Sequence, residues 1–526
     1  MGAGSVVSRS SPTIDPNVRT LSHLYLKLAD RPDPSVNERV VAAGARMLAE
    51  QLPGVTDVIP GYTTLLVEFD PRLISRARLE ARVATLLAAN LRADAVSRTV
   101  DLSVVYDGPD LTYVATAAGL EPAEVVSRHS RVRYRAYAGG FTPGFAYLGE
   151  VDPAIRVPRR NSPREHVPAG SVGIADSQTG VYPLASPGGW NLIGRAVEPV
   201  YDPARAQPVL IEPGDLVTFT AVETAAPARV PQHLDLLPAE PTYPAFRVHA
   251  PGLLDLVVDA GRFLAGRFGF ARGGPLDPVS ARIANGLVSN PPAAPALEIN
   301  YAGPTLEVLR DCVVAFAGAG ARFQIDGQEA QPYVSTFLRP GQVVTFPPAA
   351  EGVRGYLSVA GGFESDKFMG SASVDVRGLI GRPLRAGDVL GLAQPRIPRA
   401  GFEFVPYRRY PRTLQLRLLP GPQYDAELME ALTARPVRLE HSDRMGVRLG
   451  AVGVTGSGVA SEGNPLGAVQ LTPGGNPIVL LNDRGTMGGY IKPALVDPRD
   501  LPRLAQTRDG MLVRFVAPKR GPSSKD

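Results

Sequence analysis

Between Gly139 and Arg195 the chain gathers residue types suited to gripping a small polar molecule. Arg159, Arg160 and Arg164 offer planar, permanently charged forks that match carboxylate or phosphate. Gln178, Thr179 and Asn191 add neutral donors and acceptors of the kind an amide needs. Gly188 and Gly189 precede Trp190, the only tryptophan, and would permit positive φ beside an aromatic wall. The competing reading is a turn-rich barrel rim with solvated arginines. A second segment, 461–496, repeats the chemistry with Gln470, Asp483, Arg484, Thr486, Lys492 and a second double glycine before an aromatic, Gly488-Gly489-Tyr490. Two further carboxylates stand in marked contexts. Asp277 precedes Pro278 where a helix should start, a capping arrangement. Glu298 lies inside the apolar pattern ALEINYAGPTLEV. For Glu298 and Asp483 a strand-end charge paired with an arginine fits equally well.

Several chemistries lack their signatures. There is no GxxxxGK[ST] loop, no GxGxxG between a strand and a helix, and no GxSxG turn. The six histidines show no HxxxH or HExxH spacing, which argues against a metal centre. Cys312, the single cysteine, sits in the apolar run DCVVAFAG and reads as a buried small hydrophobe. A net charge of +4, interspersed along the chain, gives no nucleic-acid stripe. No window approaches the ~18 apolar residues of a membrane span and no signal-peptide pattern opens the chain, so a cytoplasmic protein without membrane partners is expected.

To position those residues, 526 amino acids must form several units. The order strand, helix, strand, strand, helix over 18–97 predicts a small α+β domain, with Ser35 as the first helix cap and Glu38 three residues on. After Thr99 helical periodicity nearly vanishes, apart from PAEVVSRHS, and short strands between Gly and Pro turns dominate. IEPGDLVTF, LRPGQVVTF and TRDGMLVRF share a turn glycine (Gly214, Gly341, Gly510) before an alternating strand, and LRAGDVLGL is a shorter relative. The fold class is therefore mainly β with a small α+β domain, and three β units are expected at 98–225, 246–400 and 405–518. An Ala- and Pro-rich stretch, 226–245, reads as the linker between two halves.

GGFTPGFAYLG, VPRRNSPREHVPAGSVGIADSQTGVYPLASPGGWNLIGR and the EPGD turn resemble the B-subunit family of prokaryotic ATP-dependent 5-oxoprolinase, also labelled allophanate hydrolase subunit 1 and related to the Kip inhibitor. ARGGPLDPVSARIANGLVSN, ALEINYAGPTLEV, LSVAGGF, SDRMGVRLG and LLNDRGTMGGY resemble the C subunit of the same enzyme (allophanate hydrolase subunit 2), the Kip antagonist. The resemblance spans roughly 20–518 and departs from the family at Gly273, usually serine, and at Gly485 and Met487, which replace a polar pair. It implies cyclophilin-like β-barrels, one in the first half and two in the second. It also implies a B–C component that opens 5-oxoproline to glutamate with ATP hydrolysis, together with a separate 5-oxoprolinase A subunit. ATP is the implied cofactor, magnesium is left undecided, and no biotin is attached to this chain. The substrate is a small lactam or amide, and a homo-oligomer is allowed. On this basis Arg159, Arg164, Gln178 and Thr179 are expected to be catalytic. Arg160, Gly188, Gly189, Trp190, Asn191, Asp277, Glu298, Gln470, Asp483, Thr486 and Lys492 are expected to bind substrate or nucleotide. The alternatives are a biotin-dependent carboxyltransferase acting on urea or a similar amide, with the carrier in trans, and a Kip-type protein that regulates a kinase.

Overall fold

The computed structural model describes residues 13–14, 22–31, 33–88, 98–224, 231–406 and 413–517. Strands His23–Lys27, Val55–Pro60 and Thr64–Phe69 form a small antiparallel sheet backed by helices Pro34–Ala49 and Arg76–Ala88. Val40, Ala43 and Met47, spaced for one helical face, pack with Leu79, Val83 and Leu86 of the second helix. The first helix is capped by Asp33 rather than by the expected Ser35: its carboxylate accepts from Ser35 N at 2.8 Å and Val36 N at 3.2 Å. Pro34 accounts for the shift, because a residue before proline is driven to extended backbone, the conformation a cap requires.

The first large β unit is a ring of seven strands that closes on itself. In it Thr99–Val105 pairs in parallel with Leu216–Ala221 and antiparallel with Asn191–Ala196. The last unit has the same wiring. Thr413–Pro420 pairs in parallel with Leu512–Val516 and antiparallel with Met487–Val496, which closes a second seven-strand ring with Gly458–Gly463 laid outside it. In the middle unit the strands, from Pro244 to Gly391, divide into a six-stranded and a five-stranded sheet around one shared apolar core, and helix Pro278–Leu287 packs on the latter. PAEVVSRHS forms helix Pro122–Ser130, preceded by an unforeseen helix, Leu111–Ala118. The repeated turn glycines Gly214, Gly341 and Gly510 all take positive φ, between 84° and 99°, which explains why each β unit has glycine there.

The units are packed into one body. Residues 226–230 of the expected linker lie outside the described residues, but the stretch after them is anchored: Leu234 N donates to Leu379 O at 2.9 Å and Leu236 is buried. One apolar cluster joins Tyr25, Ile59, Tyr62 and Leu66 of the small unit to Phe145, Tyr147 and Trp190 of the first barrel and Met487 of the last. Backbone bonds cross as well, from Leu264 N to Thr56 O at 3.0 Å and from Met487 N to Gly140 O at 3.1 Å.

Candidate functional site

The two sequence clusters face each other across a single cavity of about 830 Å³. The first barrel supplies Phe145, Tyr147, Tyr182 and Trp190, together with Arg159, Arg160, Gln178, Gly188 and Gly189. The last barrel supplies Arg448, Ser461, Asn464, Gln470, Arg484, Met487, Gly488, Gly489 and Tyr490, and the middle unit adds Arg377. The two double-glycine motifs enter from equivalent places: each leads into, or lies on, the strand that pairs with the first strand of its ring.

Charge in the cavity is lopsided. Five arginines line it against two aspartates, Asp176 and Asp443. Two of the arginines are already engaged: Arg160 Nη1 lies 3.2 Å from Asp110, and Arg484 Nη2 donates to the buried Glu68 at 2.7 Å. The exposed side chains of Arg159 and Arg448 make no hydrogen bond or ion pair among the described residues, while Arg377 reaches only the Met445 sulfur at 3.1 Å. The aromatic wall is close-set, with the Trp190 and Phe145 centroids 5.5 Å apart and nearly perpendicular. Burial pushes the Tyr182 phenol up to about 12 and raises that of Tyr147, so both stay protonated and can donate hydrogen bonds. The arrangement therefore offers free cations for an anion, amide groups for a polar heterocycle and an aromatic face for its ring.

Residues 18–211 match the model of the carboxyltransferase domain, subdomains C and D, and residues 268–517 that of subdomains A and B. The chain is 44% identical to the B subunit of 5-oxoprolinase from Escherichia coli O157:H7 over 172 residues, which covers 32% of this chain and 78% of the relative. It is 36% identical to the C subunit of 5-oxoprolinase from Escherichia coli K12 over 276 residues, 50% of this chain and 88% of the relative. The chain belongs to the family of the 5-oxoprolinase B and C subunits, joined in one polypeptide. A crystal structure of a protein called TTHA0988 superposes with a TM-score of 0.90 at 49% identity, covering 94% of this chain and 99% of that one. Urea amidolyase of Saccharomyces cerevisiae is 28% identical over 311 residues, and the chain spans 17% of its length.

In this fused B–C protein the cavity brings together only part of the expected site. Arg159, Arg160, Gln178, Gly188, Gly189, Trp190 and Gln470 line it. Arg164 does not; its guanidinium is held 2.7 Å from Asp110, which also accepts from Leu192 N. Thr179 is fully buried on the other face of its strand from Gln178, bonded to His129 Nε2 and Gly173 O at 2.9 Å each. Asn191 likewise turns inward, and its Nδ2 donates to Pro158 O at 2.9 Å, fixing the segment that leads into Arg159. Neither Gly188 nor Gly189 takes positive φ. Close approach accounts for Gly188 alone: a Cβ there would lie 2.4 Å from the Tyr182 hydroxyl, whereas one on Gly189 would meet nothing nearer than 3.7 Å.

The remaining expected residues serve the framework, three of them with bonds between units and Lys492 within the last barrel. Asp277 caps its helix through Val279 N and Ser280 N, as its position before proline suggests, and also accepts from Gln506. Glu298 and Asp483 share one partner, Arg444, at 2.5 and 2.7 Å, the arginine-paired alternative for both. Thr486 Oγ1 donates to Gly140 O of the other half at 3.3 Å. Lys492 is fully buried against Glu462 at 2.8 Å. Sequence reasoning missed Arg448, Arg377, Tyr147, Tyr182 and Asn464. For Arg448 a signal existed, in an exposed arginine alternating with buried Val447 and Leu449 in SDRMGVRLG. Cys312 is buried as expected, with its thiol raised to about 12 by desolvation. No helix among the described residues is long and apolar enough to cross a membrane.

Proposed function

We propose that this chain is the B–C component of an ATP-dependent 5-oxoprolinase, working with a separate A subunit to convert 5-oxoproline to L-glutamate. The observation that carries the reading is the single cavity whose opposite walls come from the B-like half and the C-like half. A lactam is an unstrained, resonance-stabilised amide, and a phosphoryl group on its oxygen supplies the leaving group that it lacks. The residues present suit both reactants. Arg159, Arg377 and Arg448 offer uncommitted positive charge for a carboxylate and a polyphosphate, acting through preorganised electrostatics in place of a phosphate loop. Gln178 and Gln470 present amide groups to the lactam, and the Trp190, Phe145, Tyr147 and Tyr182 wall accepts a flat ring and excludes water. About 830 Å³ is far more than a five-membered lactam occupies, which leaves room for a second reactant.

The test is 5-oxoproline-dependent ADP release by the purified chain, with and without the A subunit. Release that needs both proteins and 5-oxoproline supports the assignment; none in the presence of the A subunit contradicts it. The carboxyltransferase family match favours one second reading, carboxyl transfer to urea or a similar amide from a biotin carrier on another chain. Carboxybiotin-dependent turnover in the same preparation would select it.

A further inference from the structure

Three side chains of the small α+β unit reach the cavity walls from behind. The Tyr62 hydroxyl accepts from Gln178 Nε2, and its buried ring stacks on Tyr137 with centroids 5.1 Å apart and meets Tyr147 edge-on at 6.1 Å. Glu68 takes Arg484 Nη2 at 2.7 Å and Leu466 N at 2.9 Å, both from the last barrel. Tyr25 hydrogen-bonds Glu462, the neighbour of Ser461 and the partner of Lys492. Gln178, Ser461 and Arg484 all line the cavity, Gln178 on one wall and the other two on the opposite one.

We propose that the small α+β unit is a positioning element of this cavity: Tyr62 sets Gln178 on the first-barrel wall while Glu68 sets Arg484 on the last-barrel wall, so that one rigid sheet fixes the spacing between them. The physical basis is a shared hairpin. Tyr62 lies in the turn that joins Val55–Pro60 to Thr64–Phe69, closed by Gly61 N donating to Thr64 O at 2.7 Å, and Glu68 lies near the far end of the second strand, so both sit on one continuous hydrogen-bonded ladder. A buried carboxylate whose oxygen serves both a guanidinium and a backbone N–H holds that arginine in one geometry, which a neutral or shorter side chain would not reproduce. The brace acts on the ligand site proposed above, and the fluorescence arm of its test needs no ligand.

Trp190, the only tryptophan, lies in the wall that the brace supports, so its fluorescence reports the cavity directly. Acrylamide quenching of Trp190 is measured on the ligand-free chain for wild type, Tyr62→Phe, Glu68→Gln and, as a control on the same unit's surface, Glu50→Gln. Tyr62→Phe deletes one hydroxyl and so remains informative if Glu68→Gln fails to fold. Quenching should rise about twofold in Tyr62→Phe and Glu68→Gln and stay unchanged in the control, as expected when local restraint is lost. With the A subunit present, the KM for 5-oxoproline should rise about tenfold in both variants with kcat little changed, the size of one lost hydrogen bond to a charged or positioned group. Wild-type quenching in Tyr62→Phe, or a lowered thermal midpoint with unaltered quenching and KM, overturns the proposal. If quenching shifts but wild type turns over no 5-oxoproline, the brace stands and the substrate assignment falls.

Discussion

The first and last barrels share strand wiring, a double glycine before an aromatic and one cavity, yet they fix their charges in opposite ways. In the first barrel the clamp is internal: Asp110, just before the extra helix Leu111–Ala118, holds Arg160 and Arg164 of its own unit. In the last barrel the clamps reach outward. Arg444 ties Asp483 to Glu298 of the middle unit, and Arg484 is held by Glu68 of the small unit. The first barrel thus carries its own electrostatic scaffold, whereas the geometry of the last is set by its neighbours. Its share of the cavity depends on the whole assembly.

The largest effect should come from cutting an outward clamp. Arg444→Ala would leave the half-buried Asp483 without its cation and the buried Glu298 with only Arg354 at 3.9 Å, and should cost about 3 kcal/mol, seen as a large drop in the denaturation midpoint. The internal counterpart, Arg164→Ala, leaves Asp110 with Arg160 and Leu192 N and should cost about 1 kcal/mol or less. Equal losses in the two variants would erase the distinction.

Activity should sort the other way. Arg159→Ala and Arg448→Ala remove exposed cavity cations with no partner among the described residues, so each should stay folded and lose about 10- to 100-fold in kcat/KM. Arg164→Ala should keep most of its turnover. Steady-state kinetics with the A subunit decides, and wild-type rates in both Arg159→Ala and Arg448→Ala would remove the cavity from the mechanism.

The contact between halves should also respond to pH. Burial and the neighbouring Glu68 charge raise the Asp57 carboxyl to about 7, where it accepts from Gly266 N across the interface. The folded protein keeps this proton longer than the unfolded chain, whose carboxyl titrates near 4, so the stability it contributes is lost as pH rises from about 4 to about 7. For Glu68 burial also pushes upward, but Arg484 and Arg272 outweigh it and hold the carboxyl below its usual value. Its contribution is present above about 4.5 and lost in acid. Buried His23 and His129, held down at about 4 and about 3, add stability as pH rises to about 6.5, so the Asp57 contribution is read as a difference: Asp57→Asn should remove a falling component between about pH 4 and 7 in thermal melts. An unchanged slope in Asp57→Asn would rule it out as the source.

The smallest effect separates the glycines. A Cβ on Gly188 would press on Tyr182 and one on Gly488 on Asn464, at 2.4 and 2.7 Å, while Gly189 has room. Gly188→Ala should lower activity several-fold and Gly189→Ala hardly at all, because only the first must displace a cavity side chain. Equal activities would show that the approach to Tyr182 does not matter.

These contrasts also mark where sequence reading succeeds. The turn glycines at 214, 341 and 510 are legible, because positive φ restricts a position locally, whereas Gly188 and Gly189 lack the positive φ expected of them and only Gly188 is held by a close approach. Strand alternation is legible too, and it separates two residues that were expected to act together: Gln178 and Thr179 are adjacent, so one wall cannot hold both. What no local pattern reveals is which arginines are free. Arg164 is taken by Asp110, 54 residues away, and Arg484 by Glu68, 416 residues away, partners that only the tertiary fold supplies.

The central claim is that one site is built by two halves, and cleavage between them tests it most directly. A protease site placed in 225–230 avoids Leu234 and Leu236, which the fold packs against the second half. After cutting, gel filtration at micromolar concentration should show both fragments eluting together, and the pair should keep 5-oxoproline-dependent ADP release when the A subunit is supplied. Fragments that separate, with full activity in one of them alone, would contradict the account.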